Sequence, residues 1–297
     1  MRFAKGHGTE NDFVILPDPD GILDLSPRLV TRLCDRRAGL GGDGVLRVVR
    51  TAALGRQPAD PAVAAGADAA DVSGGASWFM DYRNADGSVA EMCGNGLRVF
   101  VRYLLETGLA EGDAFTIGTR GGPRRALVRP DGSISVDMGA PTVAGPGRGT
   151  VGGRICQGLR ISVGNPHLAC IVNTPVDEFD LSSPPELDPG DFPEGANVEL
   201  IQLTGPAAVR MRVRERGSGE TRSCGTGAVA AAVAAAYAGN GHRAARGAAG
   251  GSWRVDVPGG ELTVTLDGRT SWLTGPAVIV AEGEVCDAWL AAAAHTR

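Results

Sequence analysis

Lysine is almost missing from this chain. Lys5 is the single lysine among 297 residues, and every other cationic side chain is an arginine. A pyridoxal phosphate enzyme needs an internal lysine for its Schiff base, and Lys5 sits in a poor local context for one. No Gly-x-Gly-x-x-Gly unit stands between a strand and a helix, which argues against nicotinamide or flavin binding of the Rossmann type. There is no Cys-x-x-Cys, and the four histidines (7, 167, 242 and 295) never pair at helical spacing, so no metal site is expected. The six cysteines (34, 93, 156, 170, 224 and 286) are too scattered for a disulfide framework. With a net charge of −5 there is no basic footprint for nucleic acid. The first seven residues lack the apolar core of a signal peptide. The longest apolar run, residues 228–238, is too short and alanine-rich to span a bilayer. The expectation is a cytoplasmic chain with no cofactor, no nucleic-acid partner and no membrane partner.

What the chain does have is one stretch used twice. Met92-Cys93-Gly94-Asn95-Gly96 and Ser223-Cys224-Gly225-Thr226-Gly227 each set a thiol before a glycine turn and an apolar run, 131 residues apart. Each run reads as a helix, and the N–H groups at a helix N-terminus are unpaired and carry partial positive charge. A thiol placed there ionises more readily. A lone cysteine beside glycine is ordinarily a buried structural residue; two in matched settings point to one site with two thiols.

The punctuation around them also repeats. Ser26 caps a helix with Pro27 in its first position. Gly39-Leu40-Gly41-Gly42-Asp43-Gly44 is a turn into a strand at 45–49. Residues 52–77 show little periodicity and read as a surface insertion. After Cys93, Leu97, Phe100, Val101, Leu104 and Leu105 make one apolar helical face that Gly108 ends. Strands follow at 115–117, 126–128 and 134–138. The second half answers with a closely packed helix over 227–238 and strands at 253–257, 262–266 and 273–276. Its turns fall 136 to 138 residues after their first-half counterparts. Such spacing indicates an internal duplication of two α+β halves, residues 1–140 and 141–276, with 277–297 packing back on the first. The site is then expected in the cleft between the halves.

Two thiols facing one carbon can exchange its proton without a cofactor. A thiolate removes the proton on one face and a thiol delivers another on the opposite face. Acid–base catalysis supplies about 10²–10⁴-fold, so helix N-termini aimed at an α-carboxylate must stabilise the carbanion. Asn165 and His167, in Gly164-Asn165-Pro166-His167, are placed at the end of a strand over 159–163. Asn197 lies in a glycine turn, and Glu215-Arg216-Gly217 closes a strand over 209–214. Amides and an arginine suit a ligand with a carboxylate and an amino group.

In these residues the chain resembles the diaminopimelate epimerase family. The resemblance rests on His7-Gly8-Thr9-Glu10-Asn11-Asp12-Phe13, Asn84-Ala85-Asp86-Gly87-Ser88, the two cysteine motifs, Gly164-Asn165-Pro166-His167 and Glu215-Arg216-Gly217, all in the family's order. It implies cofactor-independent interconversion of L,L- and meso-diaminopimelate, which serves lysine and peptidoglycan precursor synthesis. It also implies two pseudo-symmetric halves, each a barrel-like sheet around a central helix, and a homodimer. It makes Cys93 and Cys224 the acid/base pair, tuned by His167 and Glu215. Gly94, Asn95, Gly225 and Thr226 would hold the reacting carboxylate. Asn11, Asn84, Asn165, Asn197, Glu215 and Arg216 would hold the rest of the substrate. Two positions depart from the family: Glu10 where glycine is frequent, and Gly44 where a glutamine is. The alternatives are a proline or hydroxyproline racemase-epimerase of the same fold, and a redox-responsive binding protein whose two thiols close a disulfide.

Overall fold

The computed structural model describes residues 1–54, 75–240 and 250–295. Residues 55–74 of the expected 52–77 insertion therefore lie outside the described residues. In chain order the elements are β1 (Arg2–Gly8), β2 (Asn11–Pro17), α1 (Pro27–Cys34), β3 (Gly44–Arg50), β4 (Trp78–Asn84), α2 (Gly94–Glu106), β5 (Ala114–Gly118), β6 (Arg124–Val128) and β7 (Ile134–Gly139). There follow β8 (Thr142–Val151), β9 (Arg154–Ser162), β10 (Pro166–Ile171), β11 (Glu186–Leu187), β12 (Asn197–Gly205), β13 (Ala208–Glu215) and β14 (Gly219–Thr221). The chain ends through α3 (Gly225–Asn240), β15 (Gly251–Val257), β16 (Gly260–Leu266), β17 (Ser271–Gly275), β18 (Val278–Glu284) and α4 (Asp287–His295). Two compact units result, Met1–Val136 with Pro276–Arg297, and Asp137–Gly275.

In the first unit, β1 pairs antiparallel with β18 and with β2; β2 runs parallel to β3, β3 antiparallel to β4, β4 parallel to β5, and β6 antiparallel to β5 and β7. Helix α2 touches β18, β1, β2, β3, β4 and β6. A helix that reaches both ends of a strand order must have the sheet curled around it. The second unit repeats the signs. Strand β9 is antiparallel to β8 and β10, β10 parallel to β12, β12 antiparallel to β13, β13 parallel to β15, and β16 antiparallel to β15 and β17. Helix α3 touches β9, β10, β12, β13, β15, β16 and β17. This is the duplicated α+β architecture expected from the sequence, one central helix per curled sheet.

The curl explains one departure from the sequence reading. Instead of a single inward face, α2 is buried nearly all round. Leu97, Phe100, Val101 and Leu104 are fully inside, and so are Asn95 and Arg98, whereas Leu105 is only half-buried. Each buried large apolar side chain contributes roughly 1.5–3 kcal/mol. Thr107 caps the helix and Gly108 leaves it at φ 67°, the left-handed conformation expected after a helix. Ser26 accepts from the Leu29 N–H and Pro27 opens α1, as read from the sequence. In α3 the alanine-rich run is buried and closely packed, also as expected. Two placements are corrected: His167 lies not at the end of a strand over 159–163 but inside β10, and Asn197 lies not in a turn but at the first position of β12. The ten-residue β8, Thr-Val-Ala-Gly-Pro-Gly-Arg-Gly-Thr-Val, carries three glycines and a proline. Such residues read as loop, and the pairing with β9 overrides that propensity.

Candidate active site

Cys93 is the N-cap of α2, in extended conformation, and its Sγ accepts the Gly96 N–H at 3.3 Å. The thiol lies 3.8 Å from Asn11 Oδ1 as a weak donor. Asn95 Nδ2 donates to the same oxygen at 3.2 Å, and Asn11 Nδ2 donates to Asp43 Oδ2 at 2.7 Å. Arg36 grips both Asp43 and Asp12 at 2.7 Å, and Lys5 reaches Asp12 at 2.6 Å. The one lysine is thus committed to an ion pair. Burial pushes the Asp12 carboxyl up, but Arg36 and Lys5 outweigh it and hold the carboxyl at about 2. Asn84 ends β4 opposite Gly44 and donates to Ser88 Oγ at 3.0 Å.

The two departures from the family pattern have structural readings. Thr9 and Glu10 form the two-residue turn between β1 and β2 with φ 50° and 59°, so Glu10 occupies a left-handed position where glycine is the unstrained residue. At Gly44 a Cβ would fall 2.4 Å from the Arg83 carbonyl oxygen, so on this backbone no side chain fits there.

In the second unit, Cys224 is almost fully buried, and the thiol donates to Glu215 Oε2 at 3.3 Å with Thr226 Oγ1 at 3.5 Å. The Gly227 N–H reaches its sulfur as the Gly96 N–H reaches that of Cys93. Burial, then the carboxylates of Glu215 and Glu199, push the Cys224 thiol well up. Glu215 accepts from Thr221 at 2.5 Å, and burial raises its own carboxyl. His167, wholly buried, has Nδ1 2.7 Å from Glu199 Oε1 and Nε2 2.9 Å from Asn165 Oδ1. Asn197 pairs with His167 in register and accepts the Arg216 N–H at 2.8 Å. Arg216 is half-exposed and leans on Glu194. Each unit therefore gathers its own set, Asn11 and Asn95 at Cys93, and Glu215 and Thr226 at Cys224, with His167 bridging Asn165 and Glu199. The side chains of Asn84 and Arg216 bond Ser88 and Glu194 instead.

The registers make the two sets comparable. Phe13 and Leu46 hold the positions in the first unit that His167 and Glu199 hold in the second. Asn84 precedes Cys93 by nine residues, as Glu215 precedes Cys224. The architecture repeats while the groups beside the thiols differ, amides at Cys93 and a carboxylate with a hydroxyl at Cys224. Sequence reading missed Glu199, Arg98 and Asp43. The first two lie inside apolar runs, and a charged residue at an inward position of such a run is the signal that marks them. Glu199 lies under the first turn of α3, where a Cβ on Gly227 would come 2.9 Å from its Oε1.

Among the described residues no group of three or more His, Cys, Asp or Glu could hold a metal ion, and no helix is long and apolar enough to cross a membrane.

The family model described as diaminopimelate epimerase matches residues 3–144 and 159–285. A protein named diaminopimelate epimerase from Thermobifida fusca is 58% identical over 96% of this chain and 98% of its own length. One of the same name from Acidothermus cellulolyticus is 50% identical over 96% of each. Among solved structures, a phenazine biosynthesis protein of the PhzF family from Bacillus anthracis aligns with a TM-score of 0.69 at 18% identity, covering 96% of this chain and 99% of that one. A hydroxyproline epimerase from Agrobacterium vitis aligns with a TM-score of 0.63 at 16% identity, covering 99% and 98%. At such identities the two structures speak to the fold alone.

Proposed function

This chain belongs to the diaminopimelate epimerase family, and from that premise we propose how its residues carry out the epimerisation of diaminopimelate. It is an isomerase. Cys93 and Cys224 are the two proton carriers. A thiolate takes the α-proton, so that a C–H bond breaks and an S–H bond forms. The electron pair stays on the α-carbon and its carboxylate until the other thiol returns a proton to the opposite face. One thiol ends protonated and the other ends as thiolate, so no cofactor is consumed.

The observation that carries this reading is the repeated capping of a central helix by cysteine. In each unit the sulfur receives the N–H of the residue three positions on, Gly96 or Gly227. Gly94 and Asn95, and likewise Gly225 and Thr226, open those helices, and their N–H groups suit an α-carboxylate. Asn11, Asn84, Asn165, Asn197 and Arg216 hold the far amino-acid centre. Glu215 and His167 tune the second thiol. The place in lysine biosynthesis, the cytoplasm and a homodimer complete the proposal; exposed Val278 and Val280 on β18 motivate the last.

The test is incubation with L,L-diaminopimelate in D₂O under reducing conditions. The meso isomer should appear with deuterium at an α-carbon. Absence of both with folded, reduced protein refutes the assignment. Proline and hydroxyproline, run in parallel, should not turn over. Cys93→Ala and Cys224→Ala should each abolish epimerisation, and normal turnover in either removes the two-base mechanism.

A further inference from the structure

Asp43 is the residue on which the hydrogen bonds beneath Asn11 converge. Its main-chain N–H donates to the Asp12 carbonyl at 2.7 Å, and its own carbonyl accepts the Ala85 N–H at 3.1 Å, which ties it to the turn that follows Asn84. Its carboxylate is shared among three donors. Oδ1 takes Arg36 Nη2 at 2.7 Å, while Oδ2 takes Asn11 Nδ2 at 2.7 Å and the Asp12 N–H at 3.2 Å. Lys5 spans the Asp12 carboxylate and the Gly41 carbonyl, so the turn that leads into Asp43 is held as well.

Resting on the reading of Cys93 as a proton carrier and of Asn11 as a substrate-holding residue, we propose that Asp43 is a positioning residue that fixes the side-chain amide of Asn11 with its oxygen toward Cys93.

The two ends of an amide have nearly the same shape, and only their partners tell them apart. A carboxylate paired with an arginine accepts hydrogen bonds and donates none. The Asn11 atom that meets Asp43 is therefore the nitrogen. Its oxygen lies at the other end, 3.2 Å from Asn95 Nδ2 and 3.8 Å from the Cys93 sulfur. The far side of this row demands the same orientation. Arg98 donates to Asn95 Oδ1 at 2.9 Å, and a guanidinium has no acceptor, so Asn95 must present its nitrogen to Asn11.

Turning the Asn11 amide over would set its NH₂ against that of Asn95 and its oxygen against a carboxylate. Asn11 is buried, so water is poorly placed to make good either loss. Asn95 stands in the first turn of α2, whose N–H groups are assigned above to the α-carboxylate, so an error at Asn11 reaches that site too. The carboxylate can be removed without the rest. The main-chain bonds to Asp12 and Ala85 stay, and Arg36 keeps both oxygens of Asp12, at 3.0 and 2.7 Å. In Asp43→Asn one side-chain oxygen can still face Asn11.

The experiment is a double-mutant cycle on the full chain, with L,L-diaminopimelate as substrate and a urea midpoint for every variant. Asp43→Ala should lower kcat/KM by about 10–100-fold, the size of a lost hydrogen bond to a charged group. Asp43→Asn should recover most of that loss. In the Asn11→Ala background, removal of the Asp43 carboxylate should cost no more than about twofold further, because the amide it orients is gone. Wild-type kcat/KM in folded Asp43→Ala overturns the proposal. A loss as large with Asn11→Ala as without it overturns the proposal too, since that is the mark of a purely structural role. If Asp43→Ala does not fold, Asp43→Asn enters the same cycle and the same two outcomes decide. Impaired Asn11→Ala beside unimpaired Asp43→Ala defeats this proposal alone, whereas unimpaired Asn11→Ala defeats the reading of Asn11 on which it rests.

Discussion

At Cys224 burial is the largest influence on the thiol, and the negative charges of Glu215 and Glu199 follow it. The thiol donates to Glu215 Oε2, and both that carboxylate and Glu199 oppose loss of its proton. Removing one negative charge should therefore make the thiol more acidic. Glu215→Gln is expected to lower the pH midpoint of Cys224 alkylation, with Cys93 unmoved. The same substitution should cost epimerisation about 10²–10⁴-fold, the usual size of an acid–base contribution. An unchanged Cys224 midpoint would remove Glu215 from the tuning role. Glu199 makes no hydrogen bond to the thiol but acts on it as a second negative charge and bonds His167, so Glu199→Gln should also lower the Cys224 midpoint and depress kcat with KM nearly constant, as steady-state kinetics can show.

Among the elements, the β1–β2 hairpin carries visible strain. Its two turn residues both adopt left-handed φ values, at which a non-glycine residue pays roughly 1–2 kcal/mol. Glu10→Gly relieves that strain while adding chain entropy to the unfolded state, worth about 0.5–1 kcal/mol in the other direction. The net expectation is a gain of up to about 1.5 kcal/mol, read as a higher urea midpoint. A lower midpoint would mean that the Glu10 side chain contributes more than its backbone costs. Thr9 is a poorer target despite the same backbone conformation, because its hydroxyl accepts from Arg98 and donates to the Gly8 carbonyl.

On the scale of the whole chain, the buried charges of the first unit tie its stability to pH. Asp81 lies fully inside, bonded by Arg83 at 2.7 Å and Arg120 at 2.6 Å, with Arg47 at 3.4 Å. Burial raises its carboxyl, but the Arg83 hydrogen bond and the Arg120 and Arg83 charges prevail and hold it at about 2, below the ordinary 3.8. A carboxyl lowered on folding adds stability that is complete above its unfolded value and lost as pH falls through its folded one. About 2 kcal/mol should thus disappear between pH 4 and pH 2. Asp81→Asn is expected to destabilise the protein by about 3–5 kcal/mol at neutral pH, since it leaves buried arginines without an anion. The gap to the wild type in urea melts should narrow toward pH 2; a constant gap would show that Asp81 is not the titrating group.

Cys93 and Cys224, their glycine turns and the duplicated spacing are local patterns, and the sequence by itself determined them, along with the caps at Ser26 and Gly108 and the family. A helix cap or a repeat is written in neighbouring residues and needs no distant contact to be recognised. What surrounds the thiols was a different matter. Phe13 and Leu46 in one unit answer to His167 and Glu199 in the other only because parallel strand pairs set them in register. His167 itself looked like the trailing end of the preceding strand until β10 drew it into the sheet. Arg98, placed within an apolar helix, became a buried cation because the strands close around α2 on all sides. Charges act through space rather than along the chain, so the carboxylates that face Cys224 were brought there by the tertiary structure alone.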